Sequence, residues 1–384
     1  PRHLLRYIQT LDMGDILFSV MPNSGYPEVH GNRTIFEDSS RYFAREMSKI
    51  ARLGASFIGG CCGTTPEYIR ETVRLLKEPN ADDKAPISPV RSFKHKTSET
   101  GSVLKSKMDS GEKVIVVELD PPVDTDIAFF LEGAGRYREL GVDAITIADC
   151  PVAKARVDSS LLACKLKREL GITPIPHITC RDRNLNAAKA LLLGLSIEGV
   201  KDVLIITGDP IPTAERDEIK RAHGFNAVKM AGYISDLNTK VFTDPFNIYG
   251  ALNVNDRNFE AQLRYAQKKV ESGISVFLTQ PVMTETAVEN LIYAKESLDA
   301  RILGGIIPVV SYNNARFMNN EIPGIVISDD MIERYRDTTA EEARRLAVEI
   351  SVGIIRRIRD LIDGIYLITP FKRTDIIADI LKLI

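Results

Sequence analysis

The stretch VIVVELDPP, Val114 to Pro122, runs β-branched residues into a carboxylate, Glu118, and is then stopped by two prolines. A β-branched run without polar alternation suits a strand buried on both faces. Proline has no N–H to give a sheet ladder, so the strand must end near Asp120. Glu118 therefore sits close to the C-terminal mouth of a buried strand, the end at which α/β barrels build their sites. Taken alone, the segment slightly favours a plain ion-paired carboxylate at a strand end. The rest of the chain has to decide.

Downstream the same pattern recurs. Strands are predicted at Ile115 to Leu119, Ala144 to Ala148, Thr173 to Cys180, Val203 to Thr207, Phe246 to Gly250, Ser275 to Thr279, Ile302 to Val309 and Gly364 to Ile368. Between them lie segments of helical spacing, among them Ile127 to Leu140, Ser159 to Leu170, Asn184 to Leu195, Asn258 to Ser272, Ala287 to Leu298 and Ala340 to Leu361. A longer insertion follows the fourth strand, with a helix near Asn226 to Asp236. Eight alternating units over this length is the arithmetic of a (βα)8 TIM barrel, an α/β fold, expected over residues 111–384. The alternative is an open doubly wound sheet, but no G-x-G-x-x-G follows the first strand.

Upstream, residues 1–80 read as a separate βαβα block. A short strand at Asp15 to Met21 leads through a Pro/Asn/Ser/Gly loop to a helix over Ser39 to Leu53, with Phe43, Met47, Ile50 and Leu53 on one face. A strand remnant, Ser56 to Ile58, then enters Gly59-Gly60-Cys61-Cys62-Gly63-Thr64-Thr65-Pro66, and a second helix follows to Leu76. Adjacent thiols among glycines after a strand suit a soft metal such as zinc. Two ligands alone rarely hold it, and the next cysteine is Cys150, so an empty half-site is the expectation. Residues 81–110 are polar, rich in Pro, Lys and Ser, and read as an extended linker.

The net charge of −2 gives no basic excess for nucleic acid and no polybasic segment for a membrane surface. No apolar run approaches the roughly 20 residues of a membrane span, and no signal peptide is visible. Five cysteines, two of them adjacent, make no disulfide framework and fit a reducing cytoplasm. The chain starts on Pro1 in what reads as the middle of a helical segment, so a longer parent is expected.

If the barrel is right, function lies where the strands stop. Those positions are Glu118, Thr146 to Asp149, His177, Thr207-Gly208-Asp209, Tyr249, Thr279-Gln280, Pro308 to Tyr312 and Thr369 to Arg373. A ring of mostly polar strand ends favours a site. No G-x-S-x-G nucleophile elbow, no second histidine at ligand spacing beside His177 and no P-loop appears. Carboxylates, hydroxyls, an amide and aromatic rings remain, a set that suits an organic cofactor with acid–base assistance.

Five motifs then fall in order: VELDPP at Val117, PHITC at Pro176, ITGDP at Ile206, LTQPV at Leu278 and GIIPV at Gly305. Together they resemble the methylenetetrahydrofolate reductases, FAD-containing (βα)8 barrels. GGCCGTTPEYI at Gly59 is similar to the closing motif of the homocysteine S-methyltransferases, whose zinc activates the homocysteine thiol and is held by two such cysteines and a third upstream. The pairing resembles the bacterial fusion of the two enzymes, with residues 1–80 a C-terminal piece of the methyltransferase barrel.

The resemblance implies reduction of 5,10-methylenetetrahydrofolate to 5-methyltetrahydrofolate by NADH or NADPH through FAD. It gives Glu118 the role of general acid, Asp209 a place between flavin and folate, and Gln280 a contact to folate and to the nicotinamide. It puts Thr146, His177, Thr207, Gly208, Tyr249, Asn253, Lys268 and Lys269 on flavin-binding positions, and Tyr312 and Arg373 on folate-binding ones. Cys61 and Cys62 become zinc ligands only in an intact methyltransferase domain. Thr207, Asn253, Gln262 and Tyr312 depart from the family's usual Arg, His, Asp and Phe, mostly on the FAD ribose and diphosphate side. Two other readings stay open: a zinc-dependent methyltransferase acting on homocysteine, and a non-catalytic folate- or flavin-binding module. No nucleic-acid or membrane partner is expected, and homo-oligomerisation is left open.

Overall fold

The computed structural model describes residues 1–10, 16–25, 39–77, 102–209 and 225–384, with the backbone of 27–30 and 33–36. The chain divides into two compact units, Pro1–Lys96 and Thr97–Ile384.

The second unit is a closed barrel of eight parallel strands. They are β1 (Val114–Glu118), β2 (Ala144–Ile147), β3 (Thr173–Thr179), β4 (Asp202–Ile206), β5 (Asn247–Leu252), β6 (Val276–Pro281), β7 (Arg301–Ile306) and β8 (Gly364–Ile368). Each pairs with its neighbour in chain order. β8 closes on β1 with Gly364 opposite Val114 and Ile368 opposite Glu118. This is the (βα)8 architecture expected from the sequence, with helices such as Ser159–Leu170 and Ala340–Ile358 between strands. The helix ends are sequence-coded. Asp158 accepts from the N–H groups of Ser160 and Leu161, and Thr339 and Glu342 form a capping box.

Because strand side chains alternate, one parity fills the barrel and the other meets the helices. Val114, Val116, Ala144, Ile175, Leu204, Tyr249, Val276, Leu278, Leu303 and Tyr366 form the interior cluster. Leu104 and Met108 belong to the same cluster. They come from the helix Val103–Asp109, capped by Ser102, so the last part of the expected linker is not extended. Its two buried apolar residues sit one helical turn apart and plug the N-terminal end of the barrel, a contribution of about 1.5–3 kcal/mol each. The polar composition of the neighbouring sequence concealed that pair. The rest of the expected linker, up to residue 101, lies outside the described residues, as does the insertion at 210–224.

The same end buries Asp202. Its carboxylate accepts from the Tyr249 hydroxyl and the Asn247 amide, each at 3.1 Å. Burial pushes its pKa up to about 6, against the opposing effect of Ser102, Tyr249, Asn247 and Lys167. A carboxyl whose folded-state pKa is raised contributes stability below its unfolded pKa, and that contribution is lost as pH rises through the folded value. Asp202→Asn should therefore flatten the loss of stability between about pH 4 and 6, by up to about 3 kcal/mol less whatever its altered hydrogen bonding costs. Thermal melts of both proteins across that range check this, and parallel curves would sink it.

The first unit holds a parallel pair, Ser19–Val20 with Phe57–Ile58, and an antiparallel hairpin, Pro27–His30 with Arg33–Phe36, that the sequence did not announce. Helix Ser40–Arg52 packs Phe43, Met47 and Ile50 with Leu5, Ile8 and Val20. Phe43 meets Tyr68 of the helix Pro66–Lys77 edge-on at 5.5 Å. These elements form a βαβα run with the hairpin inserted after its first strand. Of the strand foreseen over Asp15 to Met21, Asp15 lies outside the described residues and only Ser19–Val20 is strand.

Candidate active site

Parity carries the site. Two residues beyond Val116, Ala144 and Ile175, on the inward face at the C-terminal mouth, stand Glu118, Thr146 and His177. Register places Glu118 opposite Thr146. Glu118 Oε2 accepts a hydrogen bond from the Tyr366 hydroxyl and lies 3.5 Å from His177 Nε2. Only 16% of the Glu118 side chain is exposed, so water scarcely reaches the carboxyl.

Burial sets the electrostatics. It raises the pKa of Glu118 to about 7, and the charge of Asp120 adds to the rise while the Tyr366 and Thr146 hydroxyls oppose it. Burial also lowers His177 to about 4, against the pull of Asp149, so the imidazole is neutral at pH 7. A carboxyl that exchanges its proton near pH 7 beside a neutral imidazole is suited to general acid work.

Several buried polar atoms around this mouth have no hydrogen bond of good geometry: Thr146 Oγ1, His177 Nε2, Arg156 Nε and Asn255 Oδ1. Thr146 stands near enough to Glu118 to favour its charge, yet its hydroxyl closes no such bond. Unsatisfied groups of this kind are costly unless an ordered water or a polar ligand partners them.

The ends of β2 and β3 are locked together. Asp149 accepts from the Thr179 N–H and hydroxyl and pairs with Arg183 at 2.8 Å, and Arg183 also reaches Asp158. Beyond β4, Gly208 has φ +87°, and a Cβ there would lie 3.2 Å from both Arg181 Cβ and Thr179 Cβ. Only glycine combines that backbone with that closeness. Thr207 and Asp209 are exposed; Asp209 accepts from the Val152 N–H at 2.7 Å and its carbonyl accepts from Arg181. The loop it holds contains Cys150, Val152 and Ala153 at φ of 47°, 56° and 57°, conformations that cost a non-glycine residue energy.

On β6, the two residues between Leu278 and Pro281 oppose the single residue between Leu303 and Gly305, which is a bulge. Gln280 sits in it, its Cγ close to Gly324. Asn253 accepts from the Asn255 N–H, and Asn255 donates to the carbonyls of Pro281 and Gly324.

The expected lysine pair separates. Lys269 is buried, donates to the Ala251 carbonyl at 2.6 Å and has its pKa lowered to about 8 by burial. Lys268 is exposed on the other side of the helix Phe259–Glu271, because adjacent helical residues do not share a face. Tyr249 also requires correction. It was expected at the flavin, but its hydroxyl points to Asp202 at the plugged end, and Ala251 takes the mouth position on β5. Tyr312 opens the helix Tyr312–Glu321, with its hydroxyl bonded to Arg336 and the Arg336 guanidinium 4.9 Å from its ring. Arg373 is held by Asp375 through two 2.9 Å bonds.

Sequence reading missed Tyr366, Arg156 and Asn255. For Tyr366 the signal was present: it shares the inward parity of the GIYLI strand. Cys61 and Cys62 are exposed free thiols with sulfurs 3.8 Å apart. Among the described residues no three potential ligands converge, so this donor set does not fit zinc.

A closed parallel barrel with a desolvated carboxyl at its C-terminal mouth has the architecture of the α/β-barrel enzymes. The chain belongs to the methylenetetrahydrofolate reductase family, whose sequence model matches residues 103–384. The homocysteine S-methyltransferase model matches residues 1–76. A probable methylenetetrahydrofolate reductase (NADPH) of Caenorhabditis elegans is 23% identical over 289 residues, covering 72% of this chain and 42% of that protein. A methionine synthase of Mycobacterium leprae (strain TN) is 35% identical over 80 residues, 21% of this chain and 6% of its own length. The chain thus spans less than half of either relative. Among solved structures, an uncharacterized Clostridium thermocellum protein that binds two copies of 5-methyl-5,6,7,8-tetrahydrofolic acid aligns with a TM-score of 0.55. It is 16% identical and covers 73% of this chain and 97% of that one, a likeness in fold. Among the described residues no helix is long and apolar enough to cross a membrane.

Proposed function

We propose that this barrel reduces 5,10-methylenetetrahydrofolate to 5-methyltetrahydrofolate, with FAD as its cofactor and NADH or NADPH as donor. The observation that carries the reading is the buried Glu118, poised near pH 7 at the mouth of a barrel of this family. Glu118 protonates the bridging nitrogen N10, the bond from that nitrogen to the methylene carbon breaks, and an iminium forms at N5. FAD, when bound and reduced, would supply the hydride that turns this methylene carbon into a methyl group. The proton thus ends on N10 and the hydride on carbon, which balances the reaction.

The residues fit such a cofactor by their unsatisfied chemistry. Thr146, His177, Arg156 and Asn255 present unpartnered polar atoms, and Gly208 lets the β4 loop approach closely. Lys269, a buried cation bonded to one carbonyl, would gain a partner in an anionic diphosphate. Gln280, in its bulge, would orient folate, and Asp209 would hold the pterin from the β4 loop. Tyr312 would stack on the substrate, and Arg373 would meet its carboxylate tail by releasing Asp375. A reducing, cytoplasmic setting suits the five free thiols. For residues 1–76 we propose no methyl transfer to homocysteine, because among the described residues no third ligand joins the two thiols.

The purified holo-protein is expected to be yellow, to bleach with NADH or NADPH, and to regain its colour with methylenetetrahydrofolate. Bleaching that methylenetetrahydrofolate never reverses would leave a flavin-binding module in place of a reductase.

A further inference from the structure

We propose that Tyr366 is a positioning residue for this reaction, fixing the transferable proton of Glu118 on Oε1. The inference rests on Glu118 being the acid.

Which oxygen of Glu118 is already occupied decides where its proton sits. Tyr366 and Val116 are paired across β8 and β1, so the tyrosine ring stands one pleat below Glu118 on the same inward face. Its hydroxyl reaches up and donates to Oε2. His177 Nε2 faces that same oxygen at 3.5 Å and forms no hydrogen bond. A neutral carboxyl has one oxygen bearing the proton and one free to accept. With Oε2 accepting from Tyr366, the proton belongs on Oε1.

The phenol is suited to remain the donor. Tyr366 is buried, and desolvation together with the Glu118 charge holds its pKa well above the usual tyrosine range. When Oε1 gives up its proton, the hydrogen bond to Oε2 becomes charge-assisted and stabilises the carboxylate left behind. The other groups facing Glu118 do not duplicate this. Asp120, on the same strand end, opposes ionisation and is itself faced by Arg156. Thr146 comes from β2 without a bond of good geometry, and His177 comes from β3 with Asp149 acting on it from behind.

Tyr366→Phe keeps the ring in the barrel and removes only the donor. Folate reduction should slow by about 10- to 100-fold, the range for losing a hydrogen bond to a charged group. Flavin reduction by the nicotinamide should be unchanged. The alkaline limb of kcat should move to higher pH, because a carboxylate deprived of a donor holds its proton more tightly. Unchanged folate reduction with an unmoved limb would overturn the proposal. So would an equal slowing of both half-reactions, which is the mark of a structural role. Infrared difference spectra of the wild type provide a test that needs no Tyr366 variant. The protonated Glu118 band, identified by its loss in Glu118→Gln, should show a hydrogen-bonded carbonyl; a free carbonyl would overturn the proposal. Glu118→Gln also separates the two levels: if it still reduces folate, the acid assignment fails, whereas failure in Tyr366→Phe alone refutes only the positioning role.

Discussion

Glu118→Gln should lower methylenetetrahydrofolate turnover by on the order of 10²- to 10⁴-fold, the usual contribution of a general acid. It should leave flavin binding and nicotinamide oxidation in place. The amide keeps the size of the side chain and can still accept from Tyr366, so the barrel interior has no reason to rearrange. What it lacks is a transferable proton. The wild-type pH profile should carry the same signature. With Glu118 raised to about 7, the protonated fraction falls as pH rises through that value, and the folate half-reaction should fall with it. Stopped-flow measurement of the two half-reactions separates the cases. If the variant reoxidises its reduced flavin with methylenetetrahydrofolate at the wild-type rate, Glu118 is not the acid.

The barrel was legible in sequence because strand and helix periods differ and the strands are nearly unbroken β-branched or apolar runs. The strand Gly364–Ile368 and the helix Ser159–Leu170 fall where the pattern puts them. Glu118, Thr146 and His177 were legible because a strand end followed by proline or by a polar change marks the mouth. Tyr249 was misplaced for a definite reason. The strand expected to end at Gly250 runs on to Leu252, so Tyr249 stands one pleat below the mouth, and its long side chain on the inward parity reaches back toward the plug, where Asp202 gives its hydroxyl a partner. Lys268 and Lys269 show the same limit on a helix, since a dipeptide cannot face one ligand from two sides. The helix Val103–Asp109 escaped because seven residues with only three apolar positions carry too little periodicity to stand out from a polar stretch. Tyr366 escaped because its partner, Glu118, is remote in sequence and only barrel closure brings β8 beside β1.

Gly305→Ala should destabilise the barrel by about 3 kcal/mol or more, the upper range for overpacking, and lower Tm by roughly 10 °C. An added Cβ would lie 2.3 Å from the Thr279 carbonyl oxygen and 3.1 Å from that of Gln280. Both are backbone atoms of the neighbouring strand, so no side-chain rotation relieves the contact. The bulge depends on this closeness: the Gly305 N–H donates to the Thr279 hydroxyl, and its carbonyl accepts from the Val282 N–H, both at 2.8 Å. Pushing β6 away therefore also displaces Gln280, and whatever activity survives should show a larger loss with folate than with the nicotinamide donor. Gly135→Ala serves as the control. It lies within the helix Ala128–Glu139, where a Cβ meets nothing within 4 Å, and should be neutral or gain up to about 1 kcal/mol of helix propensity. Melts of the two variants beside the wild type decide it. A Gly305→Ala protein that unfolds within 2 °C of the wild type, on the order of measurement scatter, would mean that the β6 bulge does not depend on the missing side chain.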